Sequence, residues 1–306
     1  GVVDRQRFVA LAEQNLDDSA PVAQVGIDIT LSDLDATARF LSDDVPLAFP
    51  EIKDERRQAA LRSESQNVAT ALRRFGDFLR RRRTHATADF SIGSEAYKKR
   101  LWAVEMIDEP LPQLLKRAEA EIARLQAEFR KTATQIDSKK DVQSVQLDML
   151  KDHPTGDRVI DETAARLSGQ QKFLIERGIV TVPSPVLPLV RESPPFMRAT
   201  TLASMDTPGP YDTAKEAYYY VTLPNPSWTK DQAEDFLRGA HSRAIIEVTA
   251  IHEAYPGHYL QHLWDAKLSK ARQLFGVMSN IEGWAHYAGQ MMLDEGYGGG
   301  DPRLRL

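Results

Sequence analysis

Hydrophobic positions recur with a helical period through most of the first 180 residues. The clearest example follows Pro112, where apolar side chains are spaced i, i+4, i+8, i+11 and i+15: Leu114, Ala118, Ile122, Leu125 and Phe129. Side chains three or four residues apart share one face of a helix, so this spacing forms a continuous apolar stripe. The pattern predicts a surface helix that packs its stripe against a core.

The same period predicts helices over residues 56–82 and 161–177, and Gly178 ends the second of them. Between Pro183 and Pro226 lie nine of the chain's 17 prolines. Proline removes a backbone donor and breaks a helix, so helices of ordinary length are excluded there. Three short extended segments remain as candidate strands of a small sheet, at residues 179–182, 198–203 and 218–223.

This change in composition predicts a boundary near residue 180. It separates an N-terminal helical region, residues 1–180, from a second region, residues 181–306, which can also continue the first as one fold. Helical patterns return at about Lys230, where Thr229 followed by Gln232 fits a capping box. Further helices are predicted over residues 244–255 and 281–293, and the glycine-rich residues 296–300 predict a flexible turn.

Composition restricts the chemistry. The 306 residues carry a net charge of -5, which disfavours nucleic acid as a partner. The chain has no cysteine, so a metal site must use His, Asp or Glu. The sequence has no run of about 20 apolar residues, the length that crosses a membrane. Because the chain begins at Gly1, a signal peptide is absent or already removed, and the compartment stays open between cytoplasm and periplasm or secretion.

The histidines are clustered, with five of the seven between residues 241 and 286. His252-Glu253 opens a segment that resembles the H-E-x-x-H helix of metallopeptidases, but the next histidine, His258, follows at i+6. On a straight helix that residue lies about 240° around the axis, so both imidazoles could not reach one ion. Pro256 and Gly257 are poor helix formers and predict a break that absorbs the two extra residues.

Other interpretations of this segment stay open. A buried helix could end at Tyr255 and leave two incidental histidines. His258 and His262 form a rival i, i+4 pair, but Tyr259 stands where a carboxylate would follow the first histidine. Glu282, 24 residues after His258, could complete a two-His, one-Glu zinc site from a second helix. Alternatively, it is a carboxylate favoured near a helix N-terminus.

Two motifs, HEAYPGH at 252–258 and EGWAHY at 282–287, resemble a bacterial family known as domain of unknown function 885, which is grouped with the gluzincin metallopeptidases. The resemblance extends from about residue 60 to the end. It implies a mainly helical, gluzincin-like (zincin-like) fold with a small antiparallel sheet beside the active-site helix. It also implies zinc as the cofactor, with His252, His258 and Glu282 as ligands and Glu253 as the general base.

The chain departs from the family pattern in two ways. Family members usually carry a glutamate seven residues after the ligand glutamate, where this chain has Gly289. The family also continues well beyond its E-G-W block, whereas this chain stops at Leu306. We therefore expect a fold that is incomplete at its C-terminus, with a missing segment or a second chain as partner.

The predicted function is hydrolysis of peptide bonds by a zinc metallopeptidase. Candidate donors to the substrate or the transition state are Tyr255, Tyr259, His262 and His286. The predicted strand near residues 218–222 could pair with an extended peptide. The alternatives are a catalytically weak or inactive relative that binds a peptide or partner chain, and a metal-dependent hydrolase of small amides.

Overall fold

The computed structural model describes residues 2–16, 22–198, 201–209, 212–265 and 267–306. The fold is mainly helical, as predicted, and it forms two compact units. The first comprises residues 1–93 with 194–201, and the second comprises residues 94–193 with 202–306. The predicted boundary near residue 180 falls inside the second unit, because helix Val159–Arg177 packs against elements that follow that residue.

The first unit is built on the long helix α3, with helices α1 and α2 packed against it. Asp54 starts α3 by accepting the backbone N–H groups of Arg56 and Arg57. The bounds of α3 agree with the helix predicted over residues 56–82. The helices are α1 (Val2–Asn15), α2 (Gln24–Arg39) and α3 (Glu55–Arg83). Short helical turns follow α2 at Phe40–Asp44 and Val45–Leu47.

The second unit combines helices with a small sheet. Its helices are α4 (Ser94–Arg100), α5 (Leu111–Ile136), α6 (Val142–Met149), α7 (Val159–Arg177), α8 (Lys230–His241), α9 (Arg243–Glu253), α10 (His258–Asp265), α11 (Lys270–Leu274) and α12 (Met278–Asp294). Its strands are β1 (Leu189–Glu192), β2 (Ala203–Asp206) and β3 (Tyr218–Val221). Short helical turns lie at Leu101–Glu105, Gly156–Arg158, Tyr297–Gly300 and Pro302–Leu304. Among the described residues, no helix has the length and apolar character to cross a bilayer.

Helix α5 forms where the apolar stripe predicted it, but the stripe is not packed on a core. Ile122 is 56% exposed and Leu125 is 48% exposed. Ala133, near the C-terminal end, is the buried residue of this helix. The prediction of a core-packed stripe is therefore wrong for the middle of α5. The reason is that its main packing partners in the described chain are α6 and the turn Pro302–Leu304.

The sheet is mixed, which corrects the predicted antiparallel sheet. The strand order is β1-β3-β2, with β1 parallel to β3 and β2 antiparallel to it. β3 is the strand predicted over residues 218–223. Strand β1 was not predicted, and the predicted strand at residues 179–182 does not form. Strand β2 begins only at the last residue of the predicted segment 198–203. Residues 199 and 200 of that segment lie outside the described chain. Strand direction depends on partners about 30 residues away, which local propensity does not encode.

Local signals in the second unit predicted the helix ends well. The Thr229–Gln232 capping box is present at the start of α8. Gly178 ends α7 in the left-handed conformation, with φ of 63°. Residues 297–300 form a short turn in which Gly298 and Gly299 also have positive φ, as expected for a glycine-rich turn rather than an α-helix.

The core of the second unit lies between the sheet and helices α7, α9, α10 and α12. Its fully buried members include Leu174 of α7, Tyr219 of β3, Ile251 of α9, Leu260 of α10 and Met292 of α12. Burial of a large apolar side chain stabilises the fold by about 1.5–3 kcal/mol. This core holds the C-terminal end of α9 and the start of α10, where His252 and His258 lie, as part of one packed unit.

Candidate metal centre

The segment from His252 to His258 is a break between two helices, as Pro256 and Gly257 predict. Helix α9 carries His252 and Glu253 at its C-terminal end, and α10 begins at His258. The change of direction between the helices brings the two imidazoles together, with ring centroids 4.7 Å apart. One continuous straight helix through both histidines is therefore absent, and the alternative helix end at Tyr255 lies only two residues beyond the observed end of α9 at Glu253.

Gly257 is the residue that the break requires. Its backbone N–H donates to the carbonyl oxygen of Ile251 at 3.0 Å. A Cβ atom at this position would lie 2.6 Å from that same oxygen and would also collide with the carbonyl group of His252. Only glycine permits this close approach of the two backbone segments.

Glu282 reaches the two histidines from the first turns of α12. Its Oε2 atom lies 3.5 Å from Nε2 of His252 and 3.7 Å from Nε2 of His258. One ligand atom from each residue falls within 4.8 Å of the other two. A tetrahedral ion with bonds of about 2.0–2.1 Å needs ligand atoms about 3.3 Å apart. These three residues therefore form a candidate metal-binding group.

Trp284 connects α12 to the break between α9 and α10 by hydrogen bonds, a role that was not predicted from the sequence. Its indole N–H lies 2.8 Å from the carbonyl oxygen of Pro256 and 3.3 Å from that of Gly257. The two hydrogen bonds set the position of α12 relative to His258, and hence the position of Glu282. The sequence signal was the tryptophan two residues after Glu282 in the EGWAHY motif.

Glu253 is buried beside the three predicted ligands, with 7% of its surface exposed. Burial, and secondly the charge of Glu282, raise the pKa of the Glu253 carboxyl to about 7, although a hydrogen bond from the backbone N–H of Met205 opposes the shift. A pKa near the working pH suits a group that must both take up and release a proton.

The two histidines are neutral near pH 7, which metal ligation requires. Burial lowers the pKa of His258 to about 4, and the neighbouring His252 adds to the shift. Burial also lowers the pKa of His252, with a further contribution from His286. The Nδ1 atom of His258 is buried and has no hydrogen-bond partner in the described chain. Gly289 has no side chain that could supply one.

Two of the four candidate donor residues have hydroxyl groups that are already engaged. Tyr255 and Tyr259 both donate to the carbonyl oxygen of Val186, at 3.0 Å and 2.9 Å. Both side chains are buried, and Tyr255 also accepts a hydrogen bond from Gln171. These contacts tie the break and the start of α10 to the segment before β1, so both tyrosines serve the structure of the centre.

The two candidate histidines each lie near one of the proposed ligand histidines. His262 is one turn along α10, with its ring centroid 6.4 Å from that of His258 and its Nδ1 atom 3.2 Å from Asp265. His286 is one turn along α12 from Glu282, with its ring centroid 5.2 Å from that of His252. The rival pair His258 and His262 therefore lies farther apart than the pair His252 and His258.

Strand β2, and not the predicted segment near residues 218–222, lies at an edge of the sheet. That segment belongs to β3, whose two edges are both occupied because it is the central strand. β2 is an edge strand, and the backbone N–H of Met205 within it donates to Glu253. The outer edge of β2 therefore faces the candidate metal centre.

A cleft of about 1160 Å³ adjoins the centre within the second unit. One wall comes from α10 and α12 and includes Tyr259, His262 and Ile281. Residues of the segment after β2, among them Thr207 and Ala217, also line the cleft. A cleft of this size accommodates several residues of an extended peptide.

The buried carboxyl of Glu253 predicts a distinctive pH dependence for the metal-free protein. The folded state keeps a proton that the unfolded chain, with a carboxyl pKa of 4.5, releases between pH 4.5 and about 7. This group therefore lowers the free energy of unfolding as pH rises through that window. Glu253→Gln removes the effect, and we expect it to stabilise the metal-free protein by about 3 kcal/mol at pH 8 relative to pH 4.

The measurement is urea denaturation of both proteins at pH 4 and pH 8 in the presence of a chelator. The matched control is Glu295→Gln, which replaces an exposed glutamate just after α12. The control should show no such dependence on pH. An equal stability difference between Glu253→Gln and the wild type at both pH values contradicts the assignment of a buried, protonated carboxyl.

Comparison with known proteins gives a family match and a structural neighbour. A family model described as "Bacterial protein of unknown function (DUF885)" matches residues 5–306. No curated protein matches the chain in sequence. A solved structure, described as that of a candidate lipoprotein of unknown function from Shewanella oneidensis, is similar with a TM-score of 0.69 and 25% identity. The alignment covers 99% of this chain and 57% of that one, so the chain spans little more than half of its neighbour's length.

Proposed function

The chain belongs to the bacterial DUF885 family of proteins of unknown function, and we propose that it is a zinc-dependent metallopeptidase that hydrolyses peptide bonds. The observation that carries this proposal is the convergence of His252, His258 and Glu282 within 4.8 Å, with a buried glutamate adjacent to one of them. Two imidazoles and one carboxylate form a common ligand set of catalytic zinc, which leaves a fourth position for water. A gluzincin-like fold is part of the same proposal.

The donor set fits zinc better than the hard cations. Mg²⁺ and Ca²⁺ prefer oxygen ligands, whereas imidazole nitrogens suit zinc and the other late transition metals. Both Nε2 atoms point toward Glu282, and both imidazoles are neutral near pH 7. When bound, zinc lowers the pKa of a water ligand to about 7 and polarises a carbonyl group.

In the proposed reaction, Glu253 moves the proton. Its carboxylate accepts a proton from the attacking water and delivers it to the nitrogen of the leaving amine. The raised pKa of Glu253 keeps the two protonation states close in energy. The backbone N–H of Met205 lowers the energy of the charged carboxylate, and the buried Oε2 atom has no hydrogen-bond partner in the described chain.

Strand β2 and the adjoining cleft would position the substrate. An extended peptide can add to the outer edge of a sheet such as that of β2 through main-chain hydrogen bonds, which recognise a backbone rather than one side chain. This edge faces Glu253, so a peptide bound there would pass over the metal centre. The cleft beside α10 and α12 would then hold the residues that flank the scissile bond.

One observation favours a second candidate function, a peptide-binding relative with weak or no turnover. The buried Nδ1 atom of His258 lacks a hydrogen-bond partner in the described chain, and Gly289 offers none. Partners of a ligand histidine fix its orientation, and their loss typically costs 10–100-fold in metal affinity or activity. Turnover of a peptide by the zinc-loaded protein separates this candidate from the first.

Zinc binding tests the proposed centre directly. We expect the chelator-stripped protein to take up one zinc ion per chain, measured by titration against a chromophoric chelator. Glu282→Gln should weaken binding by more than the 10–100-fold that loss of a supporting partner costs, because it removes a ligand charge. Glu282 is half-exposed, so folding should survive the change.

The control for this titration is Glu295→Gln, which should bind zinc as the wild type does. Hydrolysis is then measured with a library of quenched fluorescent peptides and the zinc-loaded protein. Equal zinc affinity of wild type and Glu282→Gln, or failure of the wild type to bind zinc at micromolar concentration, would show the ligand assignment to be wrong.

A further inference from the structure

His286 is an imidazole beside the candidate metal centre that the proposed function has not used. It lies one turn after Glu282 on α12, so the two side chains share a helix face. Its ring centroid is 5.2 Å from that of His252, with the rings at 76°. The side chain is exposed and makes no hydrogen bond or ion pair with any described residue. An N–H group of this exposed side chain is therefore available as a donor beside His252.

The hydrolysis of a peptide bond is accelerated by a hydrogen-bond donor beside the scissile carbonyl group. Attack of water converts the planar carbonyl carbon into a tetrahedral one, and negative charge develops on the carbonyl oxygen. A metal ion stabilises part of this charge, and a fixed N–H or O–H donor about 2.7–3.1 Å from the developing oxyanion stabilises more. The donor must stand beside the metal and must not be held by another acceptor.

The other candidate donors near the centre fail the second requirement. The hydroxyl groups of Tyr255 and Tyr259 donate to the carbonyl oxygen of Val186, in a buried environment. His262 faces Asp265, with its Nδ1 atom 3.2 Å from the carboxylate. His286 is thus the candidate whose ring contacts a proposed ligand while its nitrogen atoms have no acceptor in the part of the chain that the structure describes.

We propose that His286 donates a hydrogen bond to the carbonyl oxygen of the scissile peptide bond as that oxygen becomes an oxyanion. This inference rests on the proposed function, and it adds a catalytic residue that touches the substrate. His286 stands outside the three-residue ligand group His252, His258 and Glu282. It therefore acts on the substrate and leaves metal binding to those three residues. Because the neutral imidazole also carries one N–H, the role does not require a charged side chain.

Three variants of α12 test the proposal in the zinc-loaded protein. His286→Leu replaces the imidazole with an apolar side chain and removes the donor, whereas His286→Gln retains an N–H donor on a flexible side chain. The control is Gln290→Leu, which makes the same polar-to-leucine change one turn farther along the helix at an exposed position. The substrate is the most rapidly cleaved member of the quenched fluorescent peptide library.

We expect His286→Leu to lower kcat by about 10²–10³-fold, the usual cost of one lost oxyanion donor, with KM changed by less than about threefold. His286→Gln should recover at least tenfold of that loss, and Gln290→Leu should match the wild type. All three variants should bind zinc with the wild-type affinity. A phosphinic peptide analogue, whose tetrahedral oxygens mimic the oxyanion, should bind His286→Leu more weakly by a similar factor.

Each contrary result has a distinct meaning. A wild-type kcat for His286→Leu overturns the proposal and leaves the metallopeptidase assignment intact. Reduced zinc affinity in both His286 variants also overturns it, because His286 would then be a metal ligand. Absence of zinc binding and of peptide cleavage in the wild type removes the proposed function, and this inference falls with it.

Discussion

Glu253→Gln is expected to lower peptide hydrolysis by about 10²–10⁴-fold while the protein retains its zinc. Glutamine has nearly the same shape as glutamate, and its amide oxygen can still accept the hydrogen bond from the backbone of Met205. It cannot take up a proton from water near pH 7. The variant therefore separates proton transfer from metal binding and from the structure of the break.

Three measurements check this result. Zinc content should stay at one ion per chain, the affinity for the phosphinic peptide should stay within about tenfold, and kcat should fall far more than KM changes. Glu295→Gln provides the control for a glutamate-to-glutamine change outside the centre. Substantial activity in Glu253→Gln would assign the proton transfer to another group and would contradict the proposed role of Glu253.

Gly257→Ala is expected to damage the metal centre through the backbone alone. The added Cβ would collide with the carbonyl groups of Ile251 and His252, so the end of α9 and the start of α10 would have to separate. Overpacking of this kind costs about 1–3 kcal/mol of stability, or a fall in Tm of about 2–12 °C for a unit of this size. Because His258 is the next residue, we expect zinc affinity to fall by at least 10–100-fold.

The matched control is Gly169→Ala on α7, where a Cβ would meet no atom within 4 Å. Alanine is the better helix former, so this variant should be stabilised by about 0.5–1 kcal/mol and should bind zinc normally. Calorimetry of the metal-free proteins and competition with a chromophoric chelator give the two readouts. Wild-type zinc affinity in Gly257→Ala would mean that the break tolerates a side chain, which would contradict the predicted collision of the Cβ atom with the carbonyl groups of Ile251 and His252.

The features that could be predicted from the sequence depend on residues close together in the chain. The capping box of Thr229 and Gln232, the left-handed Gly178 and the break at Pro256 and Gly257 all arise within one or two helical turns. In each of these cases a short-range preference of the backbone carries the signal. The proposed ligand roles of His252 and His258 came instead from the resemblance of the HEAYPGH and EGWAHY motifs to the DUF885 family.

The tertiary structure decided every feature that depends on a distant partner. It placed β3 in the centre of a mixed sheet, engaged the hydroxyls of Tyr255 and Tyr259 at Val186, and joined Trp284 to the break. It also left the middle of the apolar stripe of α5 exposed, and it gave His286 no hydrogen-bond acceptor among the described residues. Helix period and turn chemistry determine where segments begin and end. The choice of packing and hydrogen-bond partners is made by residues tens of positions away, which no local pattern specifies.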